Sequence, residues 1–212
     1  FEQQFKSWKD YLALHPLLYF KDAFGRFGAV AHSDFAPTAE CGKPVIYLYP
    51  TEEMEVSVQV DVDEFTKSVH DYGENGWTVR ATPKGKLTNL ADGQTYPYLF
   101  WEAKDDDAVS ADQGFMVERK KVDRFLKKSL KTLGFTRKEM KDFMKFWKPR
   151  ILDNPEPYFF VSFLGTQDFN KVAPLTITPA PDTLIRVFMY YQPVDTPFDV
   201  IEQKLSSVKR RG

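Results

Sequence analysis

A single cysteine stands among the 212 residues. It excludes an internal disulfide framework and any cysteine-based zinc site. Only three histidines occur, and they are scattered, which weakens metal readings further. No apolar stretch approaches the roughly 18 residues of a membrane span. The longest candidate, Tyr158–Leu164, is strand-sized. Neither sign of charge dominates: 29 Lys and Arg face 30 Asp and Glu, a net charge of −1. That balance excludes a globally basic nucleic-acid protein and a highly charged disordered chain. The chain opens on Phe1 rather than Met, as it would after removal of a leader or tag, yet no leader pattern is visible. With one cysteine the redox compartment stays open. Aromatic residues, by contrast, are abundant at 16% of the chain. A chain of this length and aromatic content folds and buries rings around a real core.

Hydrophobic spacing divides the chain into an arm, residues 1–39, and a main domain, residues 40–212. Phe5, Trp8 and Leu12 share one face of a helix predicted over residues 1–15, which His15-Pro16 would end. Leu17–Phe20 and Arg26–Ala31 read as short strands, and 32–43 as a linker. Val45–Tyr49 is an apolar run closed by Pro50. From Met54 to Val62 apolar and polar residues alternate, the cleanest period-2 signal in the chain. Trp77–Ala81 alternates likewise. Lys86–Leu90 and Thr95–Trp101 flank Asp92-Gly93, a hairpin signal, and Phe115–Glu118 reads as a further strand.

The period then changes. Val122, Phe125, Leu126, Leu130 and Leu133 recur at helical spacing, with Gly134 at the expected C-terminal cap. Thr136 and Glu139 form a capping-box pair, opening a second helix that Pro149 is expected to end. Tyr158–Leu164, Leu175–Thr178 and Leu184–Tyr191 read as strands. Strands, a helical hairpin over 121–147, then strands again predict an α+β fold: a mainly antiparallel sheet or sandwich with the hairpin packed on it. Val122, Leu126, Leu130, Phe143 and Trp147 are the predicted packing residues.

Five blocks in fixed order carry a resemblance. They are Glu40-Cys41-Gly42-Lys43-Pro44-Val45-Ile46-Tyr47-Leu48-Tyr49-Pro50; Gly76-Trp77 with Pro83-Lys84-Gly85; Tyr96-Pro97-Tyr98-Leu99-Phe100-Trp101-Glu102; the hairpin around Gly134; and Pro181-Asp182-Thr183-Leu184-Ile185-Arg186-Val187-Phe188-Met189. Together they resemble a family of uncharacterised bacterial proteins over most of the chain. Phe24-Gly25-Arg26-Phe27 with Ser33-Asp34-Phe35 resembles the upstream segment of longer members. The resemblance implies no activity, substrate or catalytic residue. It implies an extracytoplasmic setting, secreted or at the cell surface. Members continue past the position of Gly212 into another strand-like segment, which implies an open sheet edge in a chain without it.

Three groups of residues are chemical candidates. Cys41 is the only thiol; as a nucleophile it needs a nearby base, and otherwise it is a small buried hydrophobe. Glu102, after the Tyr98–Trp101 rings, pairs on paper with Asp182 as the two carboxylates of a hydrolase. The structural alternative has Glu102 paired with Lys43 or Arg186 and Asp182 in a turn. Lys43 also suits a lysine–amide cross-link to Asn75, Asn89, Asn154 or Asn170. Asp105, Asp106, Asp107 and Asp112 form an acidic loop without the calcium-loop spacing, so no metal and no cofactor is expected.

The helical hairpin carries the strongest compositional signal. From Arg119 to Arg150 there are 13 Lys or Arg and 3 acids, a net of +10, which leaves −11 on the other residues. Arg124, Lys127, Lys128 and Lys131 line the face opposite Val122 and Leu126. Such a face is either solvated or binds an anionic polymer, an acidic lipid or an acidic protein surface. No nucleic-acid reader motif is present, so sequence-specific nucleic-acid binding is not expected. Tyr47, Tyr49, Trp77, Tyr96, Tyr98 and Trp101 either stack on glycan rings or fill the core, and strand alternation sends about half inward. Lys43, Trp101 and Arg186 join the basic helix residues as binding candidates. The leading expectation is a non-catalytic extracytoplasmic module, structural or binding. The alternatives are a hydrolase using Cys41 or Glu102 with Asp182, and an anion-binding module on the 119–150 helices.

Overall fold

The computed structural model describes residues 17–21, 27–31, 44–62, 64–68, 72–104 and 111–208. The chain divides into two compact units, Phe1–Ala39 and Glu40–Gly212. In the first, β1 (Leu17–Lys21) and β2 (Phe27–Ala31) form an antiparallel hairpin with Leu17 opposite Ala31 and Lys21 opposite Phe27. The helix predicted over 1–15 lies outside the described residues.

The second unit is α+β and mostly antiparallel. Valines at every second position of β4 (Met54–Val60) turn inward while Glu55 and Gln59 face out, as a pleated strand requires. β4 pairs with β6 (Trp77–Ala81), which pairs with β7 (Leu87–Asn89), and that with β8 (Thr95–Tyr96). β12 (Leu175–Thr178) closes the other edge of this five-stranded sheet against β4. A second sheet has β9 (Leu99–Lys104) between β3 (Val45–Ile46) and β5 (Glu64–Ser68).

Thr95–Trp101 is thus not one strand. Pro97 has no N–H to donate, so the ladder breaks there and the chain passes from one sheet to the next. The same proline shortens β3. Val45 lies opposite Phe100 and Ile46 opposite Leu99, so continuing would set Leu48 against Pro97, and pairing stops at Ile46. Rings bridge the region: Phe65 packs on Tyr72, Tyr72 on Trp77, and Phe65 edge-on to Trp101. The Tyr72 hydroxyl both donates to the Val60 carbonyl and accepts from its N–H, each at 3.0 Å.

The third sheet runs β13 (Phe188–Val194), β11 (Tyr158–Leu164), β10 (Gln113–Glu118), β14 (Ile201–Glu202). Its pairs are antiparallel except β10 with β14. Gln203 completes the end of β11: its side-chain amide donates to the Phe163 carbonyl at 2.7 Å and accepts from the Phe163 N–H at 3.0 Å.

Helices α1 (Val122–Thr132) and α2 (Arg137–Asp153) pack their apolar faces on this sheet. Val122, Leu126, Leu130, Met144 and Ile151 share a core with Phe159, Val161 and Phe163, while Phe143 and Trp147 pack at its margin. Gly134 ends α1 at φ +86, with the Phe135 N–H bonding to the Leu130 carbonyl and the Gly134 N–H to that of Lys131. That is a Schellman closure, and it needs the left-handed backbone glycine permits. A Cβ there would also stand 3.0 Å from the Val208 carbonyl oxygen. The Thr136–Glu139 capping box opens α2.

Two expectations fail here. Pro149 lies inside α2, which runs on to Asp153. Its missing N–H removes one helical bond, but the following turn is held from outside: Ile151 is fully buried, and Arg119 donates to the carbonyls of Leu152 and Asn154. Leu184–Val187, predicted as the start of a strand, precedes β13. Arg186 turns inward there to Asn170 and to the Ala173 carbonyl of a short helix, α3 (Thr166–Val172), so this segment is tied to α3.

Candidate functional site: a cationic groove beside a tyrosine platform

Helices α1 and α2 line an open groove of about 430 Å³. Met140 and Met144 supply apolar lining, and Asp123 and Lys127 come from α1. Arg137, Lys141, Lys145 and Lys148 come from α2, spaced four, four and three residues apart, so they form one stripe. Asp123 is the groove's one carboxylate. It accepts from Lys127 at 2.7 Å and from Lys148 at 2.6 Å, and these two bonds hold its carboxyl below the ordinary range. Arg137, Lys141 and Lys145 have no ion pair among the described residues. Methionine side chains conform to irregular shapes, so the apolar lining can adapt to an occupant.

A tyrosine cluster stands against the same helix. Tyr47 and Tyr49, two residues apart, carry rings parallel to within 6° at 6.3 Å between centroids. Tyr98 meets Tyr47 edge-on at 5.5 Å. The Tyr47 hydroxyl donates to Asp142 of α2 at 2.8 Å, and the Lys138 ammonium lies 5.6 Å from its ring centre. Burial first, and then this hydrogen bond, push the Tyr47 hydroxyl well above its usual pKa, so it stays a donor. Tyr49 is 38% exposed. Its ring rests on bare backbone: a Cβ at Gly85 would stand 2.6 Å from it, and Gly85 has φ +73.

The other expected site residues are spread widely. Trp101 and Trp77 are buried at 2% and 1%, so these two indoles belong to the core. Tyr96 donates to Asp92 at 2.6 Å across the β7–β8 turn. Glu102 is half-buried on β9, opposite Lys67 in register, and Asp182 is exposed in the segment before β13. No hydrogen bond or ion pair joins those two carboxylates among the described residues. Arg186 is buried, over the Phe169 ring at 4.2 Å, and burial lowers its pKa to about 10. Arg124, Lys128 and Lys131 are exposed on α1, and only Lys127 of that set lines the groove. Cys41, Lys43 and Asp105–Asp107 lie outside the described residues. Among the candidate amides, Asn89 is buried with its side chain accepting from the Ala91 N–H, and Asn170 accepts from Arg186. The Asn75 backbone carbonyl accepts from the Gln59 side chain, and the Asn154 side-chain amide donates to the Arg150 carbonyl.

A Butyrivibrio fibrisolvens protein described as an uncharacterised protein in the bglA 3′ region is 41% identical over 81 residues, which is 37% of this chain and 81% of that protein. The chain belongs to that protein's family. No protein-family model matches the chain, and no solved structure does. Membership therefore brings no assigned activity, and function has to be argued from the side chains. Among the described residues no group of three or more His, Cys, Asp or Glu could hold a metal ion, and no helix is long and apolar enough to cross a membrane.

The sequence expectation placed anion binding on the 119–150 helices as a whole but named individual cations only on α1. The signal for α2 is the helical spacing of Arg137, Lys141, Lys145 and Lys148, on the same helix as the apolar face with Phe143 and Trp147.

Proposed function

We propose that the Glu40–Gly212 unit is a non-catalytic binding module that works outside the cytoplasm and takes an anionic ligand in the α1–α2 groove. The observation that carries this reading is the stripe Arg137–Lys141–Lys145, set beside an adaptable apolar lining and without acidic partners among the described residues. Neighbours four apart on a helix are about 5–6 Å apart. That is inside the Debye length of about 8 Å at physiological salt, so their fields add. Like charges at this spacing cost the helix a few tenths of a kcal/mol per pair. A ligand that supplies the missing negative charge turns that cost into affinity. The resemblance to secreted and surface proteins supports the extracytoplasmic setting.

The test is binding of the chain to two polyanions, polyglutamate and polygalacturonate, between about 50 and 200 mM salt. Affinity should fall steeply with salt for at least one of them. Lys141→Ala combined with Lys145→Ala should weaken binding roughly fivefold to tenfold. Failure of both polymers to bind, a flat salt response, or indifference to the double substitution would sink the reading.

A further inference from the structure

We infer that the groove and the tyrosine cluster act as one surface, and that its ligand is an acidic glycan. This rests on the anion-binding reading above and adds the chemical class. Helix α2 joins the two halves. Lys138 and Asp142 meet Tyr47, while Arg137, Lys141 and Lys145 line the groove. At 3.6 residues per turn the two faces lie about a quarter-turn apart. On a helix about 11 Å across, that is an arc on the order of 9 Å. One short stretch of polymer can therefore lie on the rings and reach the cations.

The chemistry of each half selects the ligand. Tyr47 and Tyr49 hold parallel rings at a fixed spacing, and Tyr49 is propped on the bare backbone of Gly85, so little ordering remains to be done on binding. Flat amphipathic rings suit the C–H face of a pyranose. Asp142 at the platform accepts hydrogen bonds from sugar hydroxyls. Nucleobases also stack on tyrosines, so an oligonucleotide is the competing polyanion that the experiment includes. Lysine ammoniums are point charges that accept carboxylate or sulfate in many orientations, as a polymer with one charge per sugar requires. A peptide of acidic residues satisfies the groove but gives the rings nothing specific to stack on.

The experiment compares polygalacturonate, polyglutamate, an oligothymidylate and uncharged dextran on the same protein. Polygalacturonate should bind about fivefold to tenfold more tightly than polyglutamate. Tyr49→Ala should abolish that preference, while Tyr49→Phe should keep it. If Tyr49→Ala fails to fold, Tyr49→Leu gives the same reading. Dextran alone should bind more weakly than polygalacturonate, because it lacks the charge. Equal or tighter binding of polyglutamate overturns the glycan assignment yet leaves the anion site standing, and tighter binding of the oligothymidylate does the same. A preference that survives loss of the Tyr49 ring overturns the platform. If neither polygalacturonate nor polyglutamate binds, the groove reading itself falls.

Discussion

The two ends of helix α2 treat cations in opposite ways. At its C-terminus Arg119 reaches across from the turn before α1 and donates to the carbonyls of Leu152 and Asn154. Those carbonyls lack helical partners, and a helix dipole favours positive charge there. At its N-terminus Arg137 occupies the first turn, the end that disfavours a cation, and Lys141 and Lys145 continue the stripe. Arg186 repeats the first pattern, donating to the carbonyl of Ala173 at the end of α3. The contrast separates cations that hold the fold from cations that the fold carries at a cost.

The largest effect should come from the first class. Arg119→Ala removes charge-assisted bonds to two carbonyls in a partly buried setting. Charged hydrogen bonds are worth about 1.5–3 kcal/mol each, and partial exposure reduces the sum. A loss of about 2–3 kcal/mol in urea unfolding is expected, with no change in groove affinity for polyglutamate. A loss below about 0.5 kcal/mol would put Arg119 among ordinary surface residues and erase the distinction. Next comes the N-terminal cap. Thr136→Ala breaks the capping box beside the cationic turn and should cost about 1 kcal/mol. Thr136→Asp should cost less, since its carboxylate both caps and offsets the positive end of the dipole.

Much of this architecture was legible in local pattern. The Thr136–Glu139 box, the Gly134 closure, the alternation of β4 and the whole of Tyr158–Leu164 follow from residue spacing. What escaped was set by long-range contacts. Pro149 is a helix breaker by local rules, and only the docking of Ile151 and Arg119 carries α2 past it. Leu184–Val187 has strand composition, but Arg186 is drawn to α3, which has only seven residues and a weak signal. The groove was half legible: the charge excess located the helices, while their packing decided which cations converge. Tyr47, Tyr49 and Tyr98 were recognisable as aromatics, but their alignment beside α2 required the fold.

The smallest expected effect is the most discriminating for the second class of cations. Lys141→Glu replaces two like-charge contacts, with Arg137 and Lys145, by two attractive ones. Each change is worth a few tenths, so stability should rise by about 0.5–1 kcal/mol while polyanion affinity falls. A residue whose reversal stabilises the fold and weakens binding is retained for the ligand. The acid titration of the wild type supplies the control. Asp123 has a carboxyl pKa lowered by Lys127 and Lys148, so its contribution to stability is present above the unfolded value of about 3.9. It fades as pH falls through the lower folded value, releasing both lysines into the groove. Asp123→Asn should therefore flatten the low-pH end of the stability curve and, at neutral pH, tighten polyanion binding. If that substitution weakened binding instead, Asp123 would be positioning Lys127 and Lys148 for the ligand rather than competing with it. The anion would then meet an ordered pair of lysines, with the α2 stripe as a secondary contact.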